Sequence, residues 1–340
     1  MIGIGVIGYG YWGPNLVRNF AETPEARMVA VSDLRHERLA LVGQRYPGVQ
    51  TTKDYRELVA DPRVDAVAIA TPVSTHFEFA MHALRAGKHV LLEKPLAASS
   101  EEACRLIEEA ERQRVVLMVD HPFVYTTAIR KIQELIASNA LGTIYYYDSV
   151  RVNLGLFQHD VNVIWDLAVH DLSIIDYVLP WRPRAVSATG MSHVPGKPEN
   201  IAYLTLFFDS PLMAHIHANW LAPVKVRRTL IGGSRRMIVY DDVEPSEKVK
   251  VYDRGLTLNN NAETVYQMLI GYRSGDMWAP HLDMTEALRV LASHFVSAIE
   301  DKAPALTDGE AGLRVVRILE AASQSLLERG RPIEIAAANR

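Results

Sequence analysis

The sequence predicts an α/β protein whose first domain is a doubly wound parallel sheet and whose second combines helices with an antiparallel sheet. Three observations carry this. From residue 2 to about 120, short apolar or β-branched runs alternate with helix-period segments at the spacing of βαβ units. The first run passes straight into Gly8-Tyr9-Gly10-Tyr11-Trp12-Gly13, a glycine turn that opens a helix. Beyond residue 121, strand-like runs follow one another through short connections, which suit antiparallel neighbours.

In order, the parallel strands are expected at 2 to 7, 28 to 32, 66 to 70, 89 to 92 and 115 to 119, with helices at 13 to 22, 36 to 46, 74 to 86 and 99 to 113. Pro14 suits a first helical turn, and Ser99 with Glu102 three residues on reads as a capping box. The second domain is expected to run through a helix at 127 to 138, a long strand at 143 to 152 and a helix at 162 to 179. Strands at 184 to 192, 201 to 208, 212 to 220, 226 to 232 and 235 to 240 follow, and helices at 284 to 300 and 309 to 329 close the chain. The expected division is 1–121 and 122–340, in keeping with about 150 residues per domain for a chain of 340.

A net charge of −4 offers no electrostatic grip on nucleic acid or an anionic membrane, so the expected partner is a small molecule. The single cysteine, Cys104, can neither close an internal disulfide nor build a structural zinc site, which fits a reducing compartment. The start lacks a basic segment followed by an apolar one, and no apolar run approaches the roughly 20 residues of a membrane span. A cytoplasmic location is the expectation. His215 and His217 share one strand face, but no third ligand is readable nearby, so no metal site is expected.

Gly8, Gly10 and Gly13 allow a tight turn and a close backbone approach, so that N–H groups at the positive helix end meet a pyrophosphate. Asp33, twenty residues after Gly13 at the end of the second strand, is placed to accept hydrogen bonds from an adenosine ribose. Its charge repels a 2′-phosphate, so NAD is expected over NADP, although Arg35 is a cation two residues on.

Glu93-Lys94-Pro95 ends the strand at 89 to 92 and places Lys94 at the carboxyl edge of the sheet, where doubly wound proteins bind ligands. In Trp165-Asp166-Leu167-Ala168-Val169-His170, four residues separate Asp166 from His170, so a helix puts carboxylate and imidazole on one face. Such a pair raises the basicity of the imidazole and fixes its orientation, which suits a general base. Taken singly, each feature also reads as a surface lysine in a turn and as a structural pair.

Glycine turn, Glu-Lys-Pro and Asp-x-x-x-His occurring in this order resemble the glucose-fructose oxidoreductase/inositol dehydrogenase (Gfo/Idh/MocA) family, as does Thr71-Pro72-Val73-Ser74-Thr75-His76 after the strand at 66 to 70. The family has an N-terminal Rossmann domain followed by a larger α/β domain on an open, mainly antiparallel sheet. The resemblance implies that Lys94 lies beside the nicotinamide and the reacting hydroxyl, that His170 exchanges the hydroxyl proton and that Asp166 supports His170. It also implies a cis Lys94–Pro95 bond. Cofactor contacts are expected from Gly8, Gly10, Tyr11, Trp12, Gly13, Asp33, Thr71, Pro72, His76, Glu93 and Lys94.

The stretch from Arg151 to Asn162 joins the long strand to the Asp166 helix and is dense in groups that hydrogen-bond sugars. Arg151, Asn153, Gln158, His159 and Asn162 are its candidate substrate contacts, and Tyr125 is another, alongside Lys94, Asp166 and His170. His121 either touches nicotinamide or caps the domain junction. Lys225, Arg227 and Arg228 either meet a diphosphate or are strand-surface cations. This segment is most similar to family members that act on nucleotide sugars, so C3 of a nucleotide-linked amino sugar of UDP-N-acetylglucosamine type is the expected site of oxidation. The rivals are a free-sugar or inositol dehydrogenase, a keto-sugar reductase, an NAD-dependent glycosidase without net redox, and a non-catalytic sensor. A homodimer or homotetramer through the second sheet is expected from relatives, which leaves the strands at 201 to 240 open as interface or as site.

Overall fold

In the computed structural model, which describes residues 1–155, 161–258 and 270–336, six parallel strands form the first sheet. They are β1 (Ile2–Ile7), β2 (Ala26–Ser32), β3 (Gln50–Thr52), β4 (Ala66–Ile69), β5 (His89–Glu93) and β6 (Leu117–Asp120), in the order β3-β2-β1-β4-β5-β6. The order reverses at β1, and in such sheets the crevice at the reversal opens beyond the carboxyl ends of the strands. Ala66, Val67, Ala68 and Ile69 are all fully buried, as strands covered on both faces require.

The intervening helices are α1 (Gly13–Ala21), α2 (His36–Arg45), α3 (Tyr55–Ala60), α4 (His76–Arg85) and α5 (Ser100–Gln113). Sequence reading misses β3 and α3: the edge strand is three polar residues with no apolar run to signal it. The helix after it starts at Asp54, whose carboxylate accepts the Arg56 N–H at 2.9 Å. Ser99 caps α5 by accepting the Glu102 N–H at 3.2 Å, while Glu102 accepts from Ala98 N–H.

The chain forms two compact units, and neither is a single stretch. The first is Met1–Thr126 with Thr285–Glu320; the second is Thr127–Met284 with Ala321–Arg340. This departs from the contiguous division at residue 121, because α8 (Ala287–Asp301) and the start of α9 (Gly309–Leu327) return to the first unit. Phe295 of α8 meets Phe20 of α1 edge to face at 6.2 Å, both fully buried, and Arg18 is bridged to Glu286 by two hydrogen bonds.

The second unit is built on α6 (Thr127–Ala137), α7 (Val169–Val178) and a mixed sheet. Its described strands are β7 (Ile144–Leu154), β8 (Ala185–Met191), β9 (Ile201–Phe207), β10 (Met213–Asn219), β11 (Leu221–Gly233), β12 (Met237–Asp241), β13 (Val249–Leu258), β14 (Ile270–Trp278) and β15 (Ile333–Glu334). They run in the order β14-β13-β12-β11-β7-β10-β9-β8-β15. Among the described pairs only β7 with β10 is parallel. The strands β13, β14 and β15 lie beyond those the sequence predicts, and β11 begins five residues early, with a register shift between Leu221 and Val226. Alternation sets the faces: Ala202, Leu204, Leu206, Ala214, Ile216 and Ala218 point into the core, leaving Tyr203, Phe207, Met213, His215 and His217 on the other side. Among the described residues no helix is long and apolar enough to cross a membrane, and no cluster of three metal-ligating side chains occurs.

Candidate active site

In the first unit the carboxyl ends of the strands gather the expected cofactor residues. Gly8 has a φ of +94°, and an added Cβ would lie 2.5 Å from the Ala70 carbonyl oxygen. A Cβ on Gly13 would strike the Gly8 carbonyl at 2.1 Å. Gly10 differs, since a Cβ there would meet only the Arg35 guanidinium, at 3.6 Å. The N-cap of α1, Trp12, makes no side-chain capping bond; Pro14 has no N–H and the Asn15 N–H is taken by the Trp12 carbonyl at 2.9 Å, so an anion at the positive helix end would meet the N–H of Gly13 and of the turn before it.

Asp33 receives the Tyr9 N–H at 2.7 Å, the Arg35 N–H at 2.9 Å and the Arg35 Nε at 3.1 Å. Burial would raise its pKa, but these hydrogen bonds and the Arg35 charge hold it below the usual carboxylate range. Asp33 therefore stands ionised at the end of β2, as a ribose acceptor requires. These features fit a dinucleotide with an unphosphorylated ribose.

Glu93 ends β5 and Lys94 follows it, both half-buried, and the Lys94–Pro95 bond is cis. On the neighbouring strand Glu93 stands in register with Asp120. Asp120 is fully buried and accepts the Trp12 indole N–H at 2.5 Å. Burial pushes its carboxyl up to about 6, against the opposing pull of Trp12, Glu93 and the Lys94 charge. His121 is buried as well, and burial carries its imidazole down to about 3, with the Lys94 charge acting in the same direction.

In the second unit, residues Ile164–Ala168 form a π-helical turn that runs into α7. Such turns occur often at functional sites because they re-aim side chains within a helix. Asp166 lies in it and His170 one turn further on, both half-buried. Trp220, fully buried between β10 and β11, donates its indole N–H to Asp166 Oδ2 at 3.0 Å. Sequence reading gives Trp220 no role, because the two residues are 54 positions apart.

Several expected contacts are corrected. Arg151 does not offer itself to a substrate: 3% exposed, it pairs with the buried Asp171 at 2.6 Å, and Asp171 also takes the Ser149 hydroxyl. Tyr125 is buried with its hydroxyl 3.1 Å from that of Thr307. Asn162 is a helix cap, accepting from Ile164 N–H and Trp165 N–H and donating to Glu199. The His76 ring is buried, its nitrogens 2.9 Å from the Pro95 and Thr71 carbonyl oxygens, so it braces two loops. Thr71 is half-buried, Pro72 and Tyr11 are exposed, and Asn153 is half-buried on β7. Lys225 and Arg228 are exposed, whereas Arg227 pairs with Asp242 at 3.1 Å. Gln158 and His159 lie outside the described residues.

Comparison with known proteins agrees with this geometry. Residues 2–121 match the model of the oxidoreductase family NAD-binding Rossmann fold, and residues 129–239 match the GFO/IDH/MocA C-terminal domain. The chain is 31% identical to UDP-N-acetylglucosamine 3-dehydrogenase of Acidithiobacillus ferrooxidans, over 92% of this chain and 93% of that one. It is 26% identical to myo-inositol 2-dehydrogenase of Thermotoga maritima, over 96% of each. The solved structure of the Acidithiobacillus enzyme superposes with a TM-score of 0.79 at 27% identity, covering 96% of this chain and 97% of that one. Levoglucosan dehydrogenase in complex with NADH and levoglucosan shares the fold, with a TM-score of 0.84 at 21% identity over 99% and 100% of the two chains. With both family domains matched in order on a glycine turn and an ionised Asp33, the chain belongs to the Gfo/Idh/MocA family of NAD-dependent sugar and polyol dehydrogenases.

Proposed function

We propose that this dehydrogenase oxidises a secondary ring hydroxyl of a nucleotide-linked amino sugar, at C3 of a UDP-N-acetylglucosamine-type substrate. When bound, NAD supplies the hydride acceptor for such an oxidation. His170 takes the hydroxyl proton, Asp166 holds the imidazole in orientation, and the Lys94 ammonium stabilises the negative charge that develops on the oxygen. The observation that carries the reading is the Asp166 carboxylate, held by the Trp220 indole on a π turn one turn before His170. A carboxylate clamped in this way suits the support of a base. Similarity to the UDP-N-acetylglucosamine 3-dehydrogenase supports the substrate class.

A free polyol is the second reading, favoured by the likeness to inositol dehydrogenases along nearly the whole chain. Absorbance at the NADH band separates the two. UDP-N-acetylglucosamine should reduce NAD while myo-inositol and glucose fail, and the reverse outcome would establish the polyol reading. We also place the enzyme in the cytoplasm as a homodimer or homotetramer. For the oligomer the support is the open face of the second sheet, which exposes Tyr203, Phe207 and Met213 together. On that face Tyr203 stacks on His217 at 4.4 Å, which gives the two histidines of β10 a packing role.

A further inference from the structure

We propose that Asp120 is a positioning residue for the dinucleotide-binding glycine turn, acting through Trp12. The turn contains three glycines and has the conformational freedom that goes with them. Its start is pinned twice, by Gly8 N–H to the Ser32 carbonyl at 2.7 Å and by Tyr9 N–H to Asp33 at 2.7 Å. Its far half carries Tyr11, which is 87% exposed, and Trp12, whose indole N–H reaches Asp120 Oδ2 at 2.5 Å. That bond joins residues 108 apart in sequence. In the sheet order β6 is three strands from β1, so the tie spans the carboxyl edge where the cofactor residues gather. Trp12 is also the N-cap of α1: its side chain makes no capping bond, and its carbonyl accepts the Asn15 N–H at 2.9 Å, so fixing its indole fixes the start of the helix.

A carboxyl at position 120 is costly even with the Lys94 charge nearby. It follows Leu117, Met118 and Val119, all buried, and an apolar residue there would avoid the desolvation of a carboxyl group that stands in register with Glu93. A buried carboxyl in this place has value if it accepts a hydrogen bond that must be directional. Holding the turn in its binding shape before NAD arrives removes an ordering cost from association, which appears as affinity. Since Glu93 precedes Lys94, the same carboxyl links the glycine turn to the segment that presents the lysine.

The experiment is calorimetric titration of the full-length protein with NADH alone, so its result does not depend on the sugar assignment. Trp12→Phe and Asp120→Ala should each weaken binding by about tenfold, the effect of losing a hydrogen bond to a charged group. The double variant should bind no worse than either single one, since both remove the same tie. Asp120→Asn, whose carbonyl oxygen still accepts the indole N–H without the charge, should stay within about threefold of the parent. Thermal melts without NADH identify any variant that fails to fold; if Asp120→Ala does, Trp12→Phe against Asp120→Asn decides. A folded Trp12→Phe protein with parental affinity would overturn the proposal, as would single effects that multiply in the double variant.

Discussion

Lys94 and His170 reach their positions by different local means, one at the end of a buried strand and the other one turn beyond a π turn. With the roles proposed for them, Lys94→Ala and His170→Ala should each lower turnover by about a hundredfold or more, with NAD affinity within severalfold of the parent. Parental rates in both variants would remove the proposed chemistry. His121 bears instead on stability against pH. It is 2% exposed with a pKa lowered to about 3, so the folded chain keeps it neutral while the unfolded chain takes up a proton below about 6.5. Its contribution is complete above about 6.5 and is lost as pH falls towards 3, at about 1.4 kcal/mol per pH unit. Asp120, raised to about 6, acts in the opposite sense between about 4 and 6, so the comparison is between variant and parent. The urea midpoint of His121→Gln should fall less between pH 7.5 and 4.5 than that of the parent. Equal falls would show that His121 titrates freely.

Single elements are exact where their signals are local and wrong where a partner is remote. Ser99 with Glu102, and Pro14 after the glycine turn, mark helix starts that the structure reproduces to within a residue. Arg151 is misread because period-2 alternation says which residues share a face of β7 but not that Asp171 of α7 waits beneath that face. The π turn carries no sequence signal either: Asp166 and His170 look like an ordinary i, i+4 pair, and the corner between β10 and β11 brings Trp220 to the carboxylate. Trp220→Phe keeps the buried ring and removes the donor. Turnover should drop by about tenfold while NADH affinity stays unchanged, read by steady-state rates and titration together. An unaltered rate would make the indole bond merely structural.

At the scale of the whole molecule, the chain leaves its first unit after Thr126 and returns to it at Thr285. The sequence gives no sign of this return, since α8 and α9 look like any amphipathic helices and nothing in their pattern says which core they cover. Phe20 is fully buried and is met by Phe295 from the returning segment. A chain stopped at residue 284 should therefore fail to fold its NAD-binding unit despite containing every strand of the first sheet. Circular dichroism should show loss of a cooperative melt, and NADH fluorescence should show no binding. A cooperative melt with parental NADH affinity would mean that the returning helices are dispensable.

By itself the sequence determined the α/β class, the glycine turn, the ionisable partner at Asp33 and the placement of Lys94 at the edge of a parallel sheet. Each of these depends on residues close together along the chain, whose spacing and backbone preferences act locally. Only the tertiary structure decided that Arg151 and Tyr125 are buried braces, that Trp220 holds Asp166, that Trp12 is anchored on Asp120, and that a C-terminal segment completes the first core. Those are contacts between residues from 20 to nearly 300 positions apart. Burial and hydrogen bonding select such pairs after the chain has folded, and local periodicity carries no record of them.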